Sequence, residues 1–373
     1  MFQNLESLLI WIVSIEHIHL AIYIMFLVAI LVSERSPETI VAWIFTITVF
    51  PVFGFILYLV FGINWRKNRI ESLQNKNRRS LFKGFPSLTK YDPTEIFHSR
   101  KVKPEDLDIL MNNAGISQEE SEIVKLLYAS EGTYLTHNSS YEMFYNGKEA
   151  FDSIIQDLEN AKETIYMEYF VWKSDKLGEK IKDILVKKAK EGVKIRLLFD
   201  GMGSLGTISE KYRKELLKVG VEFKYFLDIK FALSKFNYRN HRKITIVDNR
   251  ILHTGGMNLG EEYITGGRRF ESWRDTNVRI KGELVLHYLA IFVTDWLNSG
   301  GKQDFKMDDI EEVIEEHKNL RNESPYIMQV SSSGPDTIWT TLKYTYSKLI
   351  TSAKEEILIQ SPYFIPDTSL VSQ

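Results

Sequence analysis

The chain has 373 residues and a net charge of −2, enough length for two ordinary domains and no global pull toward nucleic acid or anionic lipid. It contains no cysteine, which excludes disulfides and thiolate metal sites. Its eight histidines show no His-Glu-x-x-His or similar ligand spacing, so no metal and no other cofactor is expected.

The mean hydropathy of −0.18 hides a lopsided distribution. Residues 1–64 predict a membrane module with two transmembrane helices. Ile40–Phe61 carries no charge over 22 residues, enough to cross a hydrocarbon core of about 30 Å. Pro51 and Gly54 interrupt it, as membrane helices tolerate, and Trp43, Tyr58 and Trp65 suit its interfacial ends. The earlier run, Leu8–Val32, is broken by Glu16, His17 and His19. It reads as a span over Ile18–Val32 with Leu8–Ile15 at the interface, because a buried unpaired Glu16 would be costly. A cleaved signal peptide plus one anchor is the competing reading, and the missing basic n-region argues against it. Arg66, Lys67, Arg69, Lys76, Arg78, Arg79 and Lys83 follow the second run, against Arg35 alone between the runs. The positive-inside rule then puts everything after residue 65 in the cytoplasm, and the same cluster suits anionic headgroups.

Residues 65–120 read as a basic linker, and residues 121–300 as a first domain. Helices are predicted over Phe151–Ala161, Leu177–Ala189, Glu210–Val219 and Leu284–Leu297. Strands are predicted over Thr164–Val171, Val193–Phe199, Val221–Phe226, Ile244–Val247, Ile251–Leu252 and Asn277–Ile280. The alternation predicts an α/β fold, a mostly parallel sheet flanked by helices, with ligands outside the C-terminal strand ends. Asp200 stands at such an end and reads first as a turn carboxylate, second as a site residue. Residues 301–324 read as an acidic connector.

Beyond residue 325 the pattern restarts. Asn160–Glu168 resembles Ser352–Gln360, 192 residues later (353 − 161). A duplicated unit explains this simply, so a copy of any residue near 241 belongs near 433 (241 + 192). The expected fold is a duplicated sheet whose second unit, residues 325–373, is incomplete. The strand expected at Ile357–Gln360 lacks neighbours, and the chain reads as a fragment.

The chemistry concentrates in residues 237–260. His241, Lys243 and Asp248 stand in the spacing H-x-K-x4-D, followed by Gly255, Gly256 and Asn258. In an extended segment the period of two puts His241 and Lys243 on one side. The set suits a phosphodiester. A neutral imidazole can attack phosphorus covalently. Lys243 and Asn258 can neutralise the non-bridging oxygens as charge builds. Gly255 and Gly256 let backbone approach a ligand, and Asp248 is expected to orient the imidazole or tune its pKa.

Read as His241-x-Lys243-x4-Asp248-x6-Gly255-Gly256-x-Asn258, the stretch resembles the HKD motif of the phospholipase D superfamily. NYRNHRKITIVD at 237–248, Trp273-Arg274-Asp275, SPYFIPD at 361–367, Ala42-Trp43 and the FGFILY run at 53–58 resemble the bacterial cardiolipin synthases of that superfamily. The resemblance implies a phospholipase D-like fold in the bacterial cell membrane. It also implies transfer of a phosphatidyl group from one phosphatidylglycerol to another through a phosphohistidine, releasing glycerol. Phosphatidylglycerol and membrane lipid are then the partners, with no nucleic acid. In the family two HKD motifs face each other across a cleft, one histidine attacking and the other protonating the leaving alcohol. His241 takes the attacking role by this resemblance. The sequence holds one H-x-K-x4-D, so this chain alone is expected to be weak or inactive, and pairing with another copy as a homo-oligomer stays open. Two other readings also stay open. One is hydrolysis through the same intermediate, as a phospholipase or as a nuclease using Lys230, Lys235, Arg239, Arg242, Arg268 and Arg269. The other is a non-catalytic membrane scaffold.

Overall fold

The structure is a computed structural model that describes residues 17, 20–33, 37–62, 111–112, 115–131, 133, 135–226, 239–267, 273–302, 304–305, 312–313, 316, 326–334 and 341–373. The expectations for residues 8–15, for the basic run 66–83, for Lys230, Lys235, Arg268 and Arg269, and for most of the acidic connector lie outside these residues. The described residues up to 62 belong to one compact unit and those from 111 onward to another.

The first unit is helical at 20–31 (α1), at Pro37–Val49 (α2) and at Pro51–Leu57 (α3), with a π-helical turn at Tyr58–Gly62. The apolar run expected as one span is broken at Phe50, which lies at φ −127° and ψ 71°. The cause is Pro51, whose ring pushes the preceding residue out of the helical region. Ile30, Ile47 and Tyr58 make a small core with Phe26 and Trp43 against it. Leu20, Val32, Val41, Phe45, Val52 and Phe53 are more than half exposed. No helix among the described residues is by itself long and apolar enough to cross a membrane.

The second unit is built on one eight-stranded sheet in the order β4-β3-β2-β5-β6-β7-β1-β8. Helix α4 (Gln118–Glu131) leads into β1 (Thr136–Phe144), α5 (Gly147–Asn160), β2 (Thr164–Tyr169), α6 (Lys176–Lys190), β3 (Lys194–Asp200), α7 (Glu210–Lys218) and β4 (Glu222–Phe226). Then come β5 (Lys243–Val247), β6 (Ile251–Gly255), β7 (Asn277–Gly282), α8 (Leu284–Asn298), β8 (Tyr326–Met328) and α9 (Thr341–Ser352). Asn146, Asp175 and Ser209 each accept a backbone N–H from the first turn of α5, α6 and α7, which explains where these helices begin. Ala150, Phe151, Ile154, Ile155 and Leu158 form the buried stripe of α5, the 3–4 spacing of a one-faced helix.

The expectation of a mostly parallel sheet is corrected. Strands β2, β3 and β4 pair in parallel, but β5, β6, β7, β1 and β8 add on antiparallel. Parallel pairing needs a helical crossover between strands. That condition ends after β4, and β5 returns to β6 through a tight turn. The two central turn residues, Asp248 and Asn249, have φ of 51° and 54°, the left-handed pair that a hairpin turn requires. Both sheet faces are covered. Ile165, Met167 and Tyr169 of β2 belong to the core beneath α5 and α6. Tyr166 belongs to the opposite core, where its ring stacks on Phe292 of α8 at 5.2 Å between centroids.

The segment expected to open a second unit behaves differently. Tyr326–Met328 pairs with β1 as an edge strand of this same sheet. Helix α9 and the residues after it are tied to α4 by ion pairs Lys348–Glu122 and, at 2.8 Å, Lys354–Glu119. Residues 357–360 form no strand, and Leu358 is 86% exposed. A lone extended segment gains nothing from strand geometry when no neighbour takes its N–H and C=O groups.

Candidate active site

The C-terminal ends of β2, β3 and β4 and the start of β5 meet at one edge of the sheet, with Tyr169 paired to Lys243. His241 lies two residues before β5 and is exposed. Its ring packs on Phe170 at 4.9 Å between centroids and lies 6.3 Å from the ring of Tyr363. Lys243 is 3% exposed. Its ammonium donates to the His241 carbonyl at 2.7 Å and sits 5.6 Å from the centre of the Phe170 ring. The structure therefore brings His241 and Lys243 together, as the period of two requires.

Burial against Phe170 and then the charge of Lys243 lower the pKa of His241, while Asp200 and Asp275 pull it the other way. The net direction favours the neutral imidazole, the form that can attack phosphorus. Burial pushes Lys243 down to about 8, with Asp275 opposing.

The backbone around His241 is held by carboxylates. Asp200, at the end of β3, accepts the amide of Asn240 at 2.9 Å. Its other oxygen accepts the amides of Met202 and Gly203 at 2.8 and 2.9 Å and faces Arg239 at 3.5 Å. The reading of Asp200 as a turn carboxylate holds: it closes the turn after β3, and the same carboxylate anchors the residues before His241. Asn240 is buried, and its side-chain amide donates to Glu168 of β2 and, at 3.2 Å, to Asp295 of α8. Its carbonyl accepts the Arg242 amide at 3.0 Å, and the Arg242 guanidinium pairs with Asp295. Glu168 is 1% exposed. Burial first, and the charge of Asp295 second, raise its pKa well above the ordinary carboxylate range.

Asp248 stands elsewhere. It follows the last residue of β5, about 16 Å along the strand from Lys243. Its carboxylate accepts the amides of Lys162, Glu163 and Thr164 at 2.8, 2.7 and 2.8 Å. The expectation that it orients the imidazole is corrected, since a five-residue strand separates the two groups and the carboxylate is occupied in fixing the start of β2.

Gly255 and Gly256 do lie at the site edge, but their partner is protein. A Cβ on Gly255 would sit 2.3 Å from the Thr276 carbonyl, and one on Gly256 would sit 2.1 Å from Asp275 Oδ1. Gly255 admits the Thr276–Asn277 backbone and Gly256 admits Asp275, whose charge acts on His241 and Lys243. Asn258 accepts the Val171 amide at 3.0 Å and donates to the Tyr263 hydroxyl at 3.0 Å. It ties the loop after β6 to the loop after β2, rather than presenting its whole amide to a ligand. A cavity of about 320 Å³ beside His241 is lined by Phe226, Ile244, Tyr288, Ile291 and residues 331–334, among others.

Sequence reasoning passed over Glu168, Asn240 and Asp295. A signal was present, because Glu168 is the one charge in TIYMEYFV and Asp295 the one carboxylate in LVLHYLAIFVTDWLN. A charge in a segment that is otherwise core needs a partner.

Residues 154–296 match the family model described as cardiolipin synthase, PLD-like domain, and residues 21–62 match the phospholipase D-nuclease N-terminal model. The chain is 32% identical over 369 residues to the cardiolipin synthase of Oceanobacillus iheyensis, covering 99% of this chain and 72% of that protein. The chain belongs to the cardiolipin synthase family. Against the major cardiolipin synthase ClsA of Bacillus subtilis it is 32% identical over 371 residues, covering 99% of this chain and 72% of the relative. A solved phospholipase D family member, Nuc from Salmonella typhimurium, superposes at a TM-score of 0.35 and 19% identity over 45% of this chain and 99% of its own. The cardiolipin synthase domain match spans Glu168, His241, Lys243, Asp275 and Asp295, so the carboxylate-held histidine lies wholly inside the family region.

Proposed function

We propose that this chain is a membrane-bound phosphatidyltransferase that forms cardiolipin and glycerol from two molecules of phosphatidylglycerol, with His241 as the nucleophile. One observation carries the assignment of His241. In the run 239–243 its imidazole alone is exposed at the strand ends, while Asn240, Arg242 and Lys243 are tied down around it. The imidazole attacks phosphorus and the P–O bond to the first glycerol breaks, leaving a phosphatidyl-histidine. The alkoxide takes a proton and leaves as glycerol. The hydroxyl of a second phosphatidylglycerol then attacks the same phosphorus, its proton passing to the group that protonated the leaving glycerol, and the P–N bond breaks to give cardiolipin and regenerate the neutral His241 imidazole. Lys243 offsets the charge that builds on the non-bridging oxygens. By the family resemblance, the proton for the leaving glycerol comes from the histidine of a second HKD motif.

The exposed apolar side chains of residues 20–59 support insertion of the first unit into a bilayer as a multi-pass anchor. The basic run after residue 65 supports a cytoplasmic catalytic unit. Because the chain lacks cysteine, single introduced cysteines can report sidedness in intact cells. Purified full chain in phosphatidylglycerol vesicles, with one H-x-K-x4-D per chain, is expected to turn over slowly and to release one glycerol per cardiolipin. Phosphatidic acid in place of cardiolipin would favour the hydrolytic reading and count against transfer.

A further inference from the structure

Two carboxylates from different layers converge on Asn240, the residue before His241, and one of them, Asp295, also lines the cavity beside His241. Glu168 comes from the middle of the sheet and Asp295 from α8, and they are 1% and 2% exposed. Both accept from the same side-chain nitrogen of Asn240, and Asp295 also holds the Arg242 guanidinium. Asn240 and Arg242 are the residues immediately before and after His241. The backbone alternation sends these two toward α8 while His241 and Lys243 turn to Phe170.

We propose that Glu168 and Asp295 are positioning residues for phosphatidyl transfer, clamping Asn240 and Arg242 so that the intervening His241 imidazole is held in its attacking orientation. The inference rests on the proposed role of His241 and adds to it the means by which the imidazole is aimed.

Charge balance supports the clamp. Two adjacent buried carboxylates cannot both stay ionised opposite a single guanidinium without a large desolvation cost. Among the described residues no hydrogen-bond donor reaches Glu168 Oε2. A proton on Glu168 resolves both problems: its O–H donates to Asp295, its other oxygen still accepts from Asn240, and the remaining negative charge on Asp295 pairs with Arg242. The groups facing Glu168 are Asp295 on α8, Arg242 before β5 and the neutral amide of Asn240. The cluster then carries no net charge, as its burial requires. Hydrogen bonds to fixed elements on both sides remove the freedom of the residue between them, and loose aiming of a reacting group costs on the order of 100-fold in rate.

The test uses the full chain in phosphatidylglycerol vesicles with three variants, read by kcat, KM and amide hydrogen exchange. E168A removes the acceptor and the shared proton and should lower kcat about 100-fold with KM within about two-fold of wild type. E168Q should rescue most of that loss, because a neutral amide accepts from Asn240 and donates to Asp295 as the protonated acid does. N240A removes the hub while leaving the carboxyl pair able to share its proton, and should lose kcat as E168A does; it decides the matter if E168A does not fold. In E168A and N240A the amides of residues 240–242 should exchange at least about ten-fold faster, with β2 and β3 unchanged. E168Q should exchange as wild type does. The exchange readout does not depend on turnover, so phosphatidic acid in place of cardiolipin would count against the proposed function and still leave the clamp testable. Wild-type kcat and exchange in N240A, or an E168Q protein that folds but is as slow as E168A, would overturn the clamp.

Discussion

Replacing Asp248 separates holding the fold from doing the chemistry. The carboxylate accepts three consecutive amides at the start of β2, one part-buried and two exposed. A buried hydrogen bond to a charged acceptor contributes about 1.5–3 kcal/mol, and exposed ones contribute less, roughly 0.5–1 kcal/mol. D248A should therefore cost about 3 kcal/mol. Alanine also tolerates the φ of 51° less well than aspartate, which adds to the loss. D248N keeps the left-handed tolerance but presents one oxygen and turns an N–H toward other N–H groups, so most of the loss should remain. For a unit of this size each kcal/mol shifts the melting temperature by about 2–4 °C, giving a drop of about 6–12 °C. Calorimetry or circular dichroism in detergent would measure it. Well below the new melting point, activity should survive in proportion to the folded protein. A D248A protein that melts with wild type but has lost turnover would place the work of this carboxylate at the imidazole and refute the reasoning.

Lys243 is held down to about 8 by burial, so its charge is present below that pH and lost as the pH rises through it. Activity should fall on the alkaline side with an apparent pKa near 8 in the unliganded enzyme, and K243R should move that limb upward, as a pH profile of kcat/KM would show. G256A would bring a methyl into the Asp275 carboxylate at 2.1 Å and displace it. Turnover should fall by roughly 10–100-fold with little change in melting temperature. Asp157 of α5 bonds the buried His253 at 2.7 Å and Arg279 through both oxygens at 2.6 and 2.9 Å. Burial alone would raise its pKa, but these partners outweigh burial and bring it to about 2. A depressed carboxylate stabilises above its unfolded pKa near 4 and loses that contribution as the pH falls through about 2. D157N should cost about 2 kcal/mol at neutral pH and flatten acid unfolding in that window.

The sequence carried most of the second unit because its elements obey local rules. The helices expected over Leu177–Ala189, Glu210–Val219 and Leu284–Leu297 stand within a residue of those bounds, whereas α5 begins four residues before the expected Phe151, behind the Asn146 cap. Strand pairing was harder to read. The Asp248-Asn249 turn was a hairpin signal, but it was absorbed into the catalytic motif, and the antiparallel half of the sheet went with it. The motif itself shows the same confusion. His241 and Lys243 are legible from period two alone, whereas Asp248 belongs to the same spacing for a reason that depends on β2, residues distant in sequence. Glu168 and Asp295 required knowing that β2 and α8 face each other. Composition along one segment can say that a buried charge needs a partner, but not which one.

The most direct test is to trap the intermediate. Full chain incubated with headgroup-tritiated or phosphorus-labelled phosphatidylglycerol, quenched at alkaline pH and digested, should yield a label that carries phosphorus but not the released glycerol. That label should be stable to alkali, lost in acid, and confined to the peptide containing His241. H241A should carry none. Phosphorus on another residue, or normal cardiolipin synthesis by H241A, would contradict the account.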